Sequence, residues 1–327
     1  MGLLHHILYI HKQFLLVPTT LPFLQRKSIL LLNVSSVSYI KEGLSLRKRL
    51  RKNLSGILSS EDTRRVYNSF DVVGDIAIIR QPLASKVNAH LVAKAIMSHH
   101  RNVKTVLLQT SPVTGDFRIR HLKHVTGVKN TKTVHREFGC LFAVDVEKCY
   151  FSPRLSYERM RITKMVEPKE TVINMFAGVG CFSLMIAKHI NIEKVFSIDV
   201  NPMAVLFMRK SIKLNRLYGK VIPLMGDSKD LVSSRLQRMG DRVLLPMPEK
   251  ALKYLPYALS ALKKKGGWIH YYGFEHATKT ENPSEKVKLK VAGTLDSLGV
   301  DFELPFMRIV RSIGPNWFQL VADIHII

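Results

Sequence analysis

A glycine-rich turn at residues 176–180, set between two apolar runs, is the feature that most constrains this fold. The run 171–175 leads into Phe-Ala-Gly-Val-Gly, a helical pattern follows over 181–189, and the run 194–198 ends in Asp199. Strand, glycine turn, helix and strand, with an acid about 20 residues past the glycines, is the pattern of a nucleoside-binding βαβ unit. The turn lets a ligand approach the backbone, and the carboxylate accepts hydrogen bonds from ribose hydroxyls.

The dinucleotide signature G-x-G-x-x-G is incomplete in this turn. Gly178 and Gly180 are present, but Ser183 stands at the third position. A lone G-x-G is a weak signal, so a nicotinamide dehydrogenase and a methyltransferase both remain open at this point.

Later strands favour the methyltransferase. Asp227 follows a predicted strand at 220–225, so that two successive strands end in acids, one placed for a ribose and one near an adenine amino group. The apolar runs 306–313 and 318–324 predict an antiparallel hairpin that closes an otherwise parallel sheet. This combination is typical of class I S-adenosylmethionine methyltransferases.

The charge balance indicates a polyanionic partner. The chain has 327 residues and carries 50 Lys+Arg against 25 Asp+Glu, a net charge of +25. Such an excess favours nucleic acid over an acidic membrane surface, although a basic bias of the source proteome is an alternative. No apolar run near the N-terminus reaches the 18–20 residues or so of a membrane-spanning helix. The run 47–52, with five positive charges in six positions, is either a solvated helix face or a phosphate-contacting linker.

Cysteine usage indicates a reducing compartment. The three cysteines fit no zinc spacing, and their odd number argues against a disulfide framework; they are Cys140, Cys149 and Cys181. We therefore expect a cytoplasmic protein without a metal site.

Three regions are predicted along the chain. Residues 1–60 are a divergent basic region of uncertain structure. Its start, residues 1–41, contains no Asp or Glu and is open to interpretation as a transit peptide, a small β-rich module or an upstream extension. Residues 61–152 predict a small basic α+β domain, with strands over 70–82, 105–109, 117–127 and 131–151 and a helix over 84–99. Residues 153–327 predict a Rossmann-like α/β sheet with the C-terminal hairpin, including strands at 241–245 and 268–273 and helices at 202–216, 250–263 and 283–298.

The segment joining these domains, residues 151–165, has an imperfect helical stripe of apolar residues. It is formed by Leu155, Met160, Ile162 and Met165, which leaves Glu158 and its arginine neighbours for other faces. A solvated amphipathic helix is the simple interpretation. A glutamate among arginines just before the cofactor unit is also a catalytic candidate.

Several stretches together resemble one family. FSPRLSYERMRI, NMFAGVGCFS, IDVNP, and the closing IHYY and RIVRSIGPNWFQLVADI are similar to the archaeal and eukaryotic tRNA guanine-37 N1-methyltransferases. The resemblance runs from about Ser69 to the C-terminus, whereas residues 1–60 do not obviously match the family's usual N-terminal domain. It implies methyl transfer from S-adenosylmethionine to guanine 37 of tRNA, beside the anticodon, by a monomeric enzyme.

The reaction makes two chemical demands. Neutral guanine carries a proton on N1, so a base must remove it, and charge then accumulates on O6, which calls for a facing cation. The resemblance implies that Glu158 is the general base, that Arg118 stabilises O6, and that Arg154 belongs to the catalytic set. A flipped target base is expected.

The resemblance also implies two binding sets. The cofactor set is Phe176, Ala177, Gly178, Gly180, Asp199, Val200, Asp227 and Ser228. The substrate set is Arg118, Arg154, Arg159, Pro246 and Pro248. The sequence departs from the family where Pro246-Met247-Pro248 replaces Asn-Leu-Pro, and where Asn174 replaces an Asp before the glycine turn.

Two alternatives to methylation are open. The sister aminocarboxypropyl transferases of wybutosine synthesis use the same fold and cofactor, but they move a different carbon and need no base at N1. The presence of Glu158 therefore favours methylation. A non-catalytic tRNA-binding protein is disfavoured, because the glycine turn, both strand-end acids and Glu158 occur together.

Overall fold

The computed structural model describes residues 70–80 and 88–327 in full, and the backbone alone of residues 5–10 and 13–18. The chain divides into two compact units, Met1–Leu46 and Arg47–Ile327. In the first unit, β1 (His5–Ile10) and β2 (Gln13–Pro18) pair antiparallel. The basic run at 47–52 and the first part of the helix predicted over 84–99 lie outside the described residues.

The second unit begins with a four-stranded sheet in the order β3-β4-β5-β6. Its strands are β3 (Asp71–Val73), β4 (Ile76–Arg80), β5 (Thr105–Gln109) and β6 (Leu122–Gly127). Helix α1 (Ala89–His99) buries Val92 and Ile96 in a core with Ile79 and Val106. The predicted turn at Gly74-Asp75 is confirmed.

The strand predicted from residue 117 begins only at Leu122. Residues 115–118 form a turn, in which the Arg118 N–H donates to the Gly115 carbonyl and Arg118 has a φ of +51°. This backbone conformation is incompatible with a strand.

A hairpin of β7 (Lys132–Glu137) and β8 (Cys140–Asp145) follows, with Phe142 and Val144 fully buried. These two side chains share a core with residues of the C-terminal sheet and its helices. The domain boundaries drawn at residues 60 and 152 stay predictions.

The C-terminal domain is built on a seven-stranded sheet. Its strands are β9 (Thr171–Asn174), β10 (Lys194–Asp199), β11 (Val221–Met225), β12 (Arg242–Leu245), β13 (Gly267–His276), β14 (Phe302–Gly314) and β15 (Trp317–Ile326). The order is β11-β10-β9-β12-β13-β15-β14, with β9 to β13 parallel and β15 antiparallel to both neighbours. The predicted fold class, including the C-terminal hairpin, is confirmed.

Helices cover both faces of this sheet. They are α2 (Ser156–Met165), α3 (Cys181–His189), α4 (Pro202–Asn215), α5 (Ser228–Leu231), α6 (Ala251–Ala261) and α7 (Pro283–Ser297). The central strands are buried on both sides, with Val172, Ile173 and Val243 inaccessible to solvent, which explains their nearly continuous apolar sequences. Helix α5 and the π-helical turn Val232–Leu236 after it had no sequence prediction.

The apolar face predicted for α2 is confirmed at Ile162, but the expectation that Glu158 and Arg159 lie on other, exposed faces is wrong. The buried residues of this helix are Glu158, Arg159, Ile162 and Thr163. Charged side chains are buried because each meets an opposite charge on another element, as described below.

None of the described helices is long and apolar enough to cross a membrane. The described residues also contain no cluster of three or more His, Cys, Asp or Glu side chains suited to a metal ion.

Candidate active site

The glycine turn follows β9 and uses its two glycines for different purposes. Both have positive φ, +57° at Gly178 and +87° at Gly180. A Cβ on Gly180 would lie 2.8 Å from the Met208 side chain, whereas one on Gly178 would meet only the Tyr150 carbonyl oxygen at 3.8 Å. Gly180 is therefore required for packing against α4, and Gly178 leaves its outer face open to a ligand.

Asp199 fastens this turn to the end of β10. Its carboxylate accepts the Gly178 N–H at 2.7 Å and the Asn201 N–H at 2.9 Å. Burial raises the pKa of Asp199, and these two backbone hydrogen bonds oppose the rise. A carboxylate accepts about four hydrogen bonds, so this half-buried side chain keeps acceptor capacity for ribose hydroxyls. Val200 follows it and is 37% exposed.

Asp227 lies at the neighbouring strand end and is held by a tyrosine. The Tyr254 hydroxyl is 2.8 and 3.0 Å from its two carboxylate oxygens, and the Tyr254 ring meets Phe176 edge-to-face at 4.9 Å. Burial and Asp227 together raise the pKa of Tyr254. The buried Ser228 hydroxyl donates to the Met175 carbonyl. Tyr254 was not predicted, because nothing in the sequence of α6 distinguishes it from a packing aromatic.

The predicted cofactor residues thus gather at the carboxyl ends of β9, β10 and β11. Ala177 is bonded through its N–H to the Ile198 carbonyl at 2.8 Å, and Gly226 to the Asp199 carbonyl at 3.1 Å. The carboxyl edge of a parallel sheet is where open α/β folds bind nucleotides.

Asn174, just before the glycine turn, and Ser183, at the third position of the dinucleotide signature, contact each other. Asn174, fully buried, donates through Nδ2 to the Ser183 hydroxyl at 3.1 Å. Its Oδ1 has no hydrogen-bond partner among the described residues. The residues that stand in place of the third glycine and of the aspartate therefore form one neutral polar contact behind the turn.

Glu158 lies 1% exposed at the start of α2, surrounded by donors. Its Oε1 accepts from Arg161 at 2.9 and 2.7 Å and from the Tyr272 hydroxyl at 2.9 Å. Its Oε2 accepts from Arg308, whose side chain is 31% exposed. Burial raises the pKa of Glu158, but hydrogen bonds and charge from Arg161, with those from Arg308 and Tyr272, outweigh burial and lower it. The carboxylate is therefore ionised, with every donor around it still in place.

Arg161 links Glu158 to strand β15 of the sheet. It also donates to Asp323 at 2.5 and 3.1 Å, and Asp323 contacts His270 Nδ1 at 2.6 Å. His270 Nε2 lies 2.8 Å from a nitrogen of Arg242, which can only donate. His270 is thus neutral with its proton on Nδ1, consistent with burial lowering its pKa.

Arg118 lies beside the turn that contains the two substrate prolines. Its guanidinium stacks on Tyr150 at 4.3 Å and approaches Phe274 at 5.9 Å, and Nη2 lies 3.4 Å from Glu249. Pro246 is half-buried and Pro248 is buried in the same turn. Arg118 Nε is buried without a partner among the described residues, so a donor remains available.

Glu158 and Arg118 are brought to neighbouring positions of one sheet face. Glu158 contacts Tyr272 and Arg118 contacts Phe274, two residues further along β13. Alternate residues of a strand share a face and lie about 7 Å apart. Two arginines of β14 also reach these positions. Arg308 contacts Glu158, and Arg311 lies 3.4 Å from the hydroxyl of Tyr150, on whose ring Arg118 stacks. Tyr272 and Arg308 had no predicted role, although both lie in stretches that carried the resemblance.

The remaining predicted arginines are engaged elsewhere. Arg154 donates to Asp71 of β3 at 2.7 Å and is 38% exposed. Arg159, 2% exposed, forms two hydrogen bonds with Glu137 at 2.9 and 2.7 Å. These contacts join α2 and the turn before it to the preceding strands. Arg154 keeps an exposed surface for a substrate, and Arg159 does not.

Comparison with known proteins places this arrangement in a family. Residues 133–296 match the TRM5/TYW2 methyltransferase domain, and residues 50–131 match the TYW2 N-terminal domain. The tRNA (guanine(37)-N(1))-methyltransferase Trm5b of Pyrococcus abyssi is 37% identical over 263 residues, covering 80% of this chain and 76% of the relative.

Relatives with other activities are nearly as similar. The tRNA 4-demethylwyosine(37)-methyltransferase Taw21 of Saccharolobus solfataricus is 34% identical, covering 81% of this chain and 96% of the relative. A tRNA(Phe) (4-demethylwyosine(37)-C(7)) aminocarboxypropyltransferase of Methanocaldococcus jannaschii is 32% identical, covering 78% of this chain and 96% of the relative.

Solved structures agree with the sequence matches. Trm5b from Pyrococcus abyssi superposes with a TM-score of 0.74 at 33% identity, covering 98% of this chain and 91% of that one. A complex of aTrm5 with tRNALeu gives a TM-score of 0.72 at 32% identity, covering 98% and 92%. TYW2 of Methanocaldococcus jannaschii, in complex with AdoMet, gives a TM-score of 0.57 at 27% identity, covering 79% of this chain and 99% of that one. The chain therefore belongs to the TRM5/TYW2 methyltransferase family, as its motifs implied.

Proposed function

We propose that this protein transfers a methyl group from S-adenosylmethionine to N1 of guanine 37 in tRNA. The family, whose named relatives modify position 37 of tRNA, supports a methyl or aminocarboxypropyl transferase acting at that position. The environment of Glu158 carries the finer proposal, because removal of a proton from N1 requires a positioned carboxylate.

The residues at the carboxyl edge of the sheet fit the cofactor. The open side of Gly178 suits close backbone approach, Asp199 has spare acceptors for ribose, and Asp227 with Phe176 suits an adenine. When bound, S-adenosylmethionine supplies an electrophilic methyl group.

Glu158 acts as the general base after one contact is exchanged. Tyr272 and Arg161 hold Oε1 from the buried side. Arg308 holds Oε2, and its side chain is more exposed than those of Arg161 and Tyr272. A guanine entering the site replaces Arg308 at Oε2 and presents its N1 proton there. Tyr272 and Arg161 keep the carboxylate oriented during the exchange.

Arg118 stabilises the charge that develops on O6. Its guanidinium is oriented by Tyr150 and Phe274, and its Nε has no other partner among the described residues. A preorganised cation in a partly buried site is worth more than one in water. Arg154, 38% exposed, supports the RNA beside this position, and Pro246 and Pro248 shape the wall beside the base through backbone carbonyls.

Aminocarboxypropyl transfer is the second candidate. The match of residues 50–131 to the TYW2 N-terminal domain favours it. Both reactions use one cofactor, so the group transferred must be measured directly.

A double-label experiment distinguishes the two transfers. The enzyme is incubated with S-adenosylmethionine labelled either in the methyl group or in the carboxyl group. The acceptor is a G37 tRNA transcript or, in parallel, a tRNA that carries 4-demethylwyosine at position 37, the nucleoside on which the aminocarboxypropyl relative acts. Methylation places only the methyl label in the RNA. Incorporation of the carboxyl label alone would refute the proposal in favour of the second candidate.

A further inference from the structure

A second cleft, remote from the cofactor edge, is lined by cations. It encloses about 1450 Å³ between the β3–β4 turn, strand β7 and helix α4. Five basic side chains line this basic groove: Lys104, Lys132, Arg136, Lys210 and Lys213. They come from three separate segments of the chain, so their convergence results from the fold.

The upper wall of the basic groove is closely fitted. A Cβ on Gly74 would lie 2.1 Å from the Thr133 hydroxyl oxygen, and the Gly74 N–H donates to His135 Nδ1 at 3.1 Å. The Thr133 hydroxyl donates to Asp75 at 2.6 Å. These contacts dock the β3–β4 turn on β7, and they occupy Asp75, the one acid among the described residues that line the groove.

On the floor of the basic groove, side chains of helix α4 form hydrogen bonds with the backbone of strand β8. Asn215 accepts the Leu141 N–H at 2.9 Å and donates to its carbonyl at 2.7 Å, and Ser211 accepts the Ala143 N–H at 2.9 Å. Helix α4 and β7 therefore hold their cations in a defined arrangement across the groove.

These cations have no acidic partner in the described part of the chain. All five are exposed, and none forms an ion pair with a described carboxylate, although Lys210 lies 4.7 Å from the Phe207 ring. Several basic side chains elsewhere are paired, such as Lys263 with Asp241 and Lys290 with Glu275. Five unpaired like charges around one cleft repel one another, which favours an anionic occupant.

The basic groove does not belong to the cofactor site. Helix α4 starts beside Asp199, and Lys213 lies eleven residues beyond Pro202, about 16 Å along the helix axis. An anion held here is therefore well separated from the reacting base.

We propose that the basic groove binds the sugar–phosphate backbone of the tRNA at a distance from nucleotide 37; this rests on the proposed function. Lys210 and Lys213 are neighbours about 5–6 Å apart on one helix face. Lys132 and Arg136 lie about 13 Å apart along β7. Cations at these spacings can contact several successive phosphates, which contributes affinity and register without reading bases.

Charge reversal of the helix side tests the proposal. Binding of a full-length tRNA transcript is measured by fluorescence anisotropy from low to high salt, for wild type and for the double variant Lys210→Glu, Lys213→Glu. Loss of two phosphate contacts should lower the slope of log affinity against log salt by about 1.5 and weaken binding about tenfold at physiological salt. The matched control is Lys279→Glu, Lys288→Glu, which changes the same charge at exposed lysines outside the groove.

The outcomes separate the possibilities. An unchanged slope, or an equal loss in the control pair, would overturn the proposal. Loss of binding to phosphatidylserine vesicles with unchanged tRNA binding would also overturn it, in favour of a membrane surface. Thermal melting and calorimetric cofactor affinity should match wild type. If wild type methylates no G37 transcript but the groove variant still loses tRNA affinity, the proposed function fails and the groove proposal stands.

Discussion

At the residue scale, the main question is how a carboxylate held by two arginines can act as a base. Glu158 has a lowered pKa because Arg161, Arg308 and Tyr272 outweigh the effect of burial. Such a group is ionised across the physiological range but is a weak proton acceptor until one cation leaves. In the mechanism proposed above, the guanine replaces Arg308, and the loss of that cation would raise the pKa of Glu158 when the proton must be taken.

We expect Glu158→Gln to lower the single-turnover rate of transfer about 100- to 10,000-fold. Cofactor affinity, measured by calorimetry, should be unchanged because the cofactor residues lie on other elements. The deficit should shrink at alkaline pH, where guanine N1 loses its proton to solvent. A purely structural role for Glu158 predicts no such recovery. The control is Glu285→Gln, at an exposed position of α7.

The sequence predicted which residues lie together at the cofactor edge better than it predicted their surroundings. Motif spacing was enough to single out Gly178, Asp199 and Asp227, which the structure brings to one edge. It did not reveal that Arg159 is buried against Glu137, because an arginine in a basic stretch has the same pattern whether it faces RNA or a buried acid. Tyr272 and Arg308 are also distant from Glu158 in sequence, so only the fold identifies them.

At the element scale, the second glycine of the turn serves packing between α3 and α4. Gly180→Ala combines a left-handed backbone at φ +87° with a Cβ 2.8 Å from Met208. We expect it to destabilise the protein by about 2–4 kcal/mol in urea unfolding.

The control for this prediction is Gly293→Ala. This glycine lies in α7 with no atom within 4 Å of an added Cβ, and alanine there should stabilise by about 0.5–1 kcal/mol. Equal effects at the two positions would contradict the packing role of Gly180.

Helix α2 is anchored to the sheet through Asp323. Burial raises the pKa of Asp323, but hydrogen bonds from His270 and Arg161 lower it to about 2. Because the folded pKa lies below the ordinary value, the stabilisation is present above about pH 4 and is lost as the pH falls toward 2.

We therefore expect Asp323→Asn to cost about 2 kcal/mol at neutral pH, with the difference from wild type vanishing near pH 2. Thermal melting across this pH range measures it. Glu281→Gln is the control, because the pKa of Glu281 is also about 2 but the side chain is exposed and screened. A pH-independent difference for Asp323→Asn would argue against a titrating ion pair.

Element positions were predictable where apolar runs have a clear period. β5, α3 and β10 match their sequence patterns closely, because their apolar faces meet the core in the usual way. The burial of Glu158 and Arg159 on α2 was missed because their partners are charged groups on other elements. The start of β6 was missed because an arginine adopts a left-handed turn conformation, which no periodicity reports.

At the scale of the whole molecule, the basic side chains occupy different kinds of environment. Some arginines form buried ion pairs within and behind the active site and add nothing to the net charge of +25; they include Arg159, Arg161 and Arg242. Four lysines and one arginine line the basic groove without a carboxylate partner among the described residues. Composition predicted a polyanionic partner but not this division, which only the tertiary structure determines.

We propose that this protein methylates N1 of guanine 37 in tRNA. Nucleoside mass spectrometry of a G37 tRNA transcript after reaction with S-adenosylmethionine tests it most directly, with an A37 transcript as the control. We predict 1-methylguanosine at position 37 of the first transcript and no modified nucleoside in the second. An aminocarboxypropyl nucleoside, or an unmodified guanosine at position 37, would contradict the account.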